Sequence, residues 1–160
     1  MKLADSSERF SGMMRFAQEV GLKINPSLVV DLPNALDPLS SFHQGYRLTK
    51  ELLAMGKPFS AIAAFDDLTA FGVMRALREQ GVVVPEQCSV IGFDDVSHAA
   101  LFSPGLTTVQ QPMEEMGRIA AERVLRGIDA LREDVHVPKH DGHTLLVPTV
   151  LVRESTARRK

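Results

Sequence analysis

Two stretches carry the fold of this chain: "SAIAAFDD" at residues 60–67 and "CSVIGFDD" at residues 88–95. Each is a short apolar run that ends in Phe-Asp-Asp, and the second comes 28 positions after the first. Unbroken apolar runs of this length, alternating with helical patterns, predict strands buried on both faces of a parallel sheet. Between the two runs lies "DLTAFGVMRALREQ", residues 67–80, with apolar residues at helical spacing and Gly81 as its stop. The pattern is strand, helix, strand. Both Asp pairs then fall at the carboxyl ends of neighbouring strands, where open α/β sheets bind ligands.

On the N-terminal side, residues 5–20 read as a helix, with Asp5 and Glu8 as a capping box and Gly21 as its stop. Residues 27–32, "SLVVDL", read as a short strand, 33–40 as a proline-marked loop, and 41–55 as a helix stopped by Gly56. Beyond residue 100 come a crossover with a short strand near 107–109 and an amphipathic helix over 113–128, with acids in its first turn. The final segment reads as a hairpin turning at "HDGH", residues 140–143, and then a frayed tail from 156.

Composition narrows the function. The chain has 160 residues, 44% of them hydrophobic, which is enough for a core, and a formal net charge of −2. That balance gives no general attraction to nucleic acid or anionic membrane. One cysteine, Cys88, excludes an intramolecular disulfide and fits a reducing, cytoplasmic setting. No apolar run is long enough to span a membrane. His136, His140 and His143 cluster in the terminal segment, where a solvated hairpin is favoured over a metal site. No metal or cofactor is expected. Ionised carboxylates only accept hydrogen bonds, so Asp66 and Asp94 at a crevice mouth suit a ligand rich in hydroxyl or amine donors. The first Asp of each pair is expected to face the crevice and the second to cap or begin the following segment.

The run "FDDLTAFGVMRALREQGVVVPEQCSVIGFDD", continued by "SPGLTTVQQPMEEMGRIAAERVL" and preceded by "SSERFSGMMRFAQEVGL", resembles the LacI/GalR family of bacterial transcription regulators. The resemblance covers residues 6 to 154 or so. It implies a periplasmic-binding-protein-like α/β fold, with two Rossmann-like lobes around an effector cleft. Residues 1–101 would form the distal lobe, 102–129 a crossover with part of the proximal lobe, and 130–154 a hairpin returning to the distal lobe. Residues 155–160 would be a tail. The chain would then be a C-terminal portion of a regulator, touching operator DNA only through an N-terminal helix-turn-helix segment that it does not include.

By the same resemblance, Arg9 and Asp94 match effector-binding positions, and Asp66 stands where many members have Asn, exchanging an amide donor for an acceptor. An aromatic platform is implied just before "GYR": Phe42 is the nearest candidate, and Leu39 or Ser40 would occupy that place instead if the loop shifts. Phe71 and Phe102 would belong to a homodimer interface, with core packing as the alternative. The implied function is non-enzymatic sensing of a small-molecule effector, a sugar or similar metabolite. Two alternatives are a periplasmic sugar-binding protein of the same fold and a hydrolase using Asp66 and Asp94.

Overall fold

The structure is a computed structural model, and it describes residues 4–32, 38–132 and 143–158. Four helices are present among these: α1 (Ala4–Glu19), α2 (Pro38–Ala54), α3 (Asp67–Glu79) and α4 (Met113–Arg132). Four strands form one sheet in the order β1 (Ala61–Ala63), β2 (Ser89–Phe93), β3 (Thr107–Gln110) and β4 (Thr149–Leu151). The first three are parallel, and β4 runs antiparallel to β3. The mainly parallel α/β architecture read from the two Phe-Asp-Asp strands is the one observed.

The register explains the 28-residue echo. Ala61 pairs with Ser89, Ile62 with Val90 and Ala63 with Ile91. The repeat spacing therefore equals the pairing offset of the strands. Continued past the strand ends, it sets Phe65 beside Phe93 and Asp66 beside Asp94 at one edge of the sheet.

The core lies between the sheet and α3. Ala70, Phe71, Val73, Met74 and Leu77 of α3 pack with Cys88, Val90, Ala99 and Leu106. Helix α2 closes over α3 at unusually short range. A Cβ on Gly72 would stand 2.1 Å from the Phe42 carbonyl oxygen, and one on Gly45 would stand 2.3 Å from the Thr69 carbonyl oxygen. Both obstacles are backbone, which cannot rotate away. Gly72→Ala is therefore expected to push α2 off α3 and cost about 1–3 kcal/mol as an overpacking change, read as a lower midpoint in urea unfolding. Gly21, Gly56 and Gly81 come just after the ends of α1, α2 and α3 with positive φ, as their place in the sequence predicts.

Burial also sets the chemistry of the single cysteine. Cys88 is enclosed in the core, and desolvation pushes its thiol up to about 11. Alkylation by iodoacetamide at pH 8 should therefore be slow in the folded protein and become fast only in denaturant, as read by mass spectrometry.

Three sequence readings are corrected. Residues 27–32 do not form a strand: Pro26–Leu28 is a 3-10 turn, and no strand comes after it in that segment. The Asn25 side chain accepts hydrogen bonds from the Ser27 N–H at 3.1 Å and from its hydroxyl at 2.8 Å, and Pro26 supplies the helical φ. That local cap outweighs the β preference of Val29 and Val30. Secondly, β4 pairs with β3, not with a hairpin partner among the described residues, and most of the expected turn at 140–143 lies outside them.

Thirdly, the chain does not fray at 156–157, where it continues from an anchored Ser155. Ser155 is fully buried between β2 and β3, donating its hydroxyl to the Val90 carbonyl at 2.6 Å and accepting from the Thr107 N–H at 2.8 Å. Thr156 bonds the Thr107 hydroxyl, and the Ala157 N–H donates to the Ser89 hydroxyl. Small hydroxyl residues there satisfy backbone groups that would otherwise be buried without partners.

Candidate functional site at the carboxyl edge of the sheet

At the end of β1 the second aspartate begins α3, as expected, but the cap falls to the first and the second is buried. Asp66 is the N-cap of α3: its Oδ1 accepts from the Thr69 N–H at 2.6 Å. Asp67 turns inward and is fully buried. Its Oδ1 accepts from the Thr108 hydroxyl at 2.5 Å and its Oδ2 from the Val96 N–H at 2.8 Å. This side chain crosses beneath β2, and a Cβ on Gly92 would meet Asp67 Oδ1 at 2.1 Å. The glycine of "IGFDD" is thus the space that the second aspartate of "AFDD" occupies.

Burial raises the Asp67 carboxyl above the ordinary aspartate range. The hydrogen bonds from Thr108 and Val96 oppose that rise, and the charges of Asp94 and Asp95 add to it.

Beyond β2 the backbone turns through two successive positive-φ residues, Asp94 at 106° and Asp95 at 55°. Aspartate tolerates this region better than most residues, but two in a row require external support. The support is dense. The Asp94 N–H donates to the Val109 carbonyl at 2.9 Å, and Gln111 Nε2 donates to Asp94 Oδ1 at 2.5 Å. Asp95 takes an ion pair from Arg153 Nη2 at 2.7 Å on one oxygen and a hydrogen bond from Gln110 Nε2 at 2.8 Å on the other. Asp67 holds the next N–H, that of Val96. The turn presenting Asp94 is therefore fixed from α3, β3 and the C-terminal segment together.

Arg9, carried by α1, reaches the same edge. Its Nη1 donates to the Phe65 carbonyl at 3.1 Å. Its Cζ lies 5.0 Å from the Phe65 ring centroid and 4.1 Å from that of Phe93. Arg9, Asp66 and Asp94 are thus brought to one edge. Among the described residues, Arg9 and Asp94 do not hydrogen-bond each other.

The other predicted positions lie elsewhere. Phe42 packs against the core under α2, edge-on to His43 with ring centroids 5.6 Å apart. Phe71 is 3% exposed and belongs to the core, and the 40%-exposed Phe102 stacks on it at 4.1 Å. The described residues contain no group of three His, Cys, Asp or Glu side chains able to hold a metal ion, and His136 and His140 lie outside them.

Sequence reasoning missed Gln110, Gln111, Arg153 and Asp67 as supports of the Asp94 turn. The adjacent glutamines of "TTVQQP" were the available signal, since β3 ends beside β2 and aims them at its tip.

A mainly parallel α/β sheet with acceptors and a cation gathered at its carboxyl edge defines the class of ligand-binding domains. Residues 2–156 match the family described as the periplasmic binding protein-like domain, and the chain belongs to it, in the LacI/GalR form found in transcription regulators. It is 34% identical over 151 residues to the HTH-type transcriptional repressor PurR of Pectobacterium carotovorum, covering 94% of this chain and 41% of that protein. The chain thus spans about two fifths of the length of the curated relatives it matches. It is similar in structure to the Escherichia coli transcriptional repressor ascG, with a TM-score of 0.75, 30% identity and coverage of 98% of this chain and 53% of that one. It is likewise similar to a transcriptional regulator CelR–cellobiose complex, with a TM-score of 0.75, 30% identity and coverage of 93% and 42%.

Proposed function

We propose that this chain is the effector-sensing part of a cytoplasmic, homodimeric LacI/GalR-type transcription regulator, and that its effector is a sugar or a similar polyhydroxylated metabolite. One observation carries the reading: the parallel register gathers Asp66 and Asp94 at one edge, and Arg9 arrives there from α1. A guanidinium fork and a carboxylate on neighbouring elements offer donors and acceptors to adjacent hydroxyls. The similarity to a regulator in complex with cellobiose supports the sugar class.

The mechanism is a population shift. The effector favours one arrangement of two lobes and so changes the spacing of the DNA-binding segments of a dimer. Residues 1–101 serve as the distal lobe and 102–129 as crossover and part of the proximal lobe, with 130–154 returning to the first. The joint sheet of β1 to β4 favours reading β3 as the crossover strand that extends the sheet of the distal lobe, with β4 beside it. Operator contact falls to sequence outside these residues, in keeping with the net charge of −2. Phe102, stacked on buried Phe71, is the exposed part of the pair and the one suited to a dimer contact.

The hydrolase alternative fares worse. It needs one carboxyl held as an acid, whereas Asp66 Oδ1 is committed to the α3 cap and Asp94 Oδ1 accepts from Gln111. A periplasmic binding protein would share the fold, but the similarity to repressors favours the regulator. No helix among the described residues is long and apolar enough to cross a membrane. The test is a gel shift of the whole regulator on its operator, titrated with a sugar panel that includes cellobiose. A sugar that moves the midpoint supports the reading, and a panel that moves nothing while sugar hydrolysis is detected supports the enzyme.

A further inference from the structure

We propose that Phe65 and Phe93 are positioning residues: their neighbouring rings form a cage that holds the Arg9 guanidinium at the carboxyl edge of β1 and β2, so that an effector meets a pre-set fork of donors. The proposal rests on the effector reading for the role of Arg9, but the cage itself rests on geometry alone. The Arg9 Cζ lies 4.1 Å from the Phe93 ring centroid and 5.0 Å from that of Phe65, and both distances are within cation–π reach. The Phe65 carbonyl accepts from Nη1 at 3.1 Å, which fixes the rotation of the fork over the rings. The other N–H groups of Arg9 have no partner among the described residues, so they remain available to a ligand.

The repeated Phe-Asp-Asp thereby gains a reason for its phenylalanines. Parallel pairing at an offset of 28 places the two rings side by side at the strand tips. An aliphatic residue at either place would fill the same space without attracting the cation. A long arginine otherwise has many rotamers, and ordering it on binding weakens affinity. In this cage the side chain is ordered beforehand by contacts to two strand ends, while α1 supplies only its root.

The test uses the 160-residue chain and reads the Arg9 side-chain NMR resonances, first without any ligand. Two rings facing the guanidinium should place its δ-methylene protons upfield of those of the exposed arginines. Phe93→Leu should abolish most of that displacement, Phe93→Tyr should keep it, and Phe65→Leu should reduce it less, since its ring is farther. Thermal melting of each variant separates loss of the cage from loss of the fold. If Phe93→Leu fails to fold, Phe65→Leu carries the test. Cellobiose is then the binding probe. Phe93→Leu should weaken it about fivefold, the loss of one moderate cation–π contact, and Phe93→Tyr should leave it unchanged.

Ordinary Arg9 resonances in the unsubstituted chain would overturn the cage. So would a Phe93→Leu variant that loses the displacement yet binds cellobiose as before, because the rings would then not serve binding. Displaced Arg9 resonances in this chain, together with a whole regulator whose operator binding no sugar of a broad panel moves, would uphold the cage and sink the sugar reading instead.

Discussion

Asp67→Ala is expected to lower the unfolding free energy by about 2–4 kcal/mol, because it strands the Val96 N–H and the Thr108 hydroxyl without their acceptor inside the protein. Asp67 is fully buried and accepts from both. Asp67→Asn should cost far less near neutral pH. Its oxygen can still accept from Val96, and its amide can donate to the Thr108 oxygen. The pH dependence gives the sign. Because burial raises the folded-state pKa of Asp67 above 3.8, its protonated form is the one that folding favours. The stability this provides is fully present below the unfolded-state value and is lost as pH rises through the folded-state value. The stability difference between the native chain and Asp67→Asn should therefore move in favour of Asn as pH rises from about 3.8. Urea unfolding of both chains between pH 3 and pH 7 measures it, and parallel curves would show that Asp67 is ionised without penalty.

The second large effect concerns binding. On the proposed effector reading, Asp94→Asn in the whole regulator should weaken a sugar effector about 10- to 100-fold, the loss expected for one charge-assisted hydrogen bond, while self-association and operator affinity persist. Asparagine is the instructive substitution because the backbone there sits at a φ of 106°, and Asn accepts positive φ more readily than Ala. Calorimetry with the effector reads the change. Equal affinity in both proteins would remove Asp94 from the site. Asp95→Asn is a separate case, since Asp95 is already saturated by Arg153 and Gln110; its effect should reach the ligand only through the shape of the turn.

The sheet was legible in the sequence because strand and helix periods alternate cleanly between residues 60 and 93, and because the Phe-Asp-Asp spacing is itself the pairing register. The placement of Arg9 at the tips of those strands was not legible from periodicity. It came only from a family resemblance, and the rings that hold it were invisible until the register was known. The capping role of Asp66 and the burial of Asp67 could not be read either. Either carboxylate can cap a helix, and what decides is the hollow left by Gly92, 25 positions away in sequence.

The misread strand at 27–32 has a local cause, a cap by Asn25 that competes with the β preference of the valines. The anchoring of Ser155 has a distant cause. Nothing around "RESTARRK" signals that its hydroxyl bridges β2 and β3, whose bonded residues Thr107 and Val90 lie 48 and 65 positions earlier.

The most direct measurement is amide chemical-shift mapping of the chain in a titration with cellobiose and a panel of monosaccharides at millimolar concentration, where even weak binding registers. If the carboxyl edge is the effector site, the amides that move should be those of Phe65, Asp66, Phe93 and Asp94, together with the Arg9 side chain, and Asp94→Asn should suppress the movement. A sugar that shifts amides at the amino-terminal edge, around Phe59, Ser60 and Ser89, and leaves these unmoved would contradict the account.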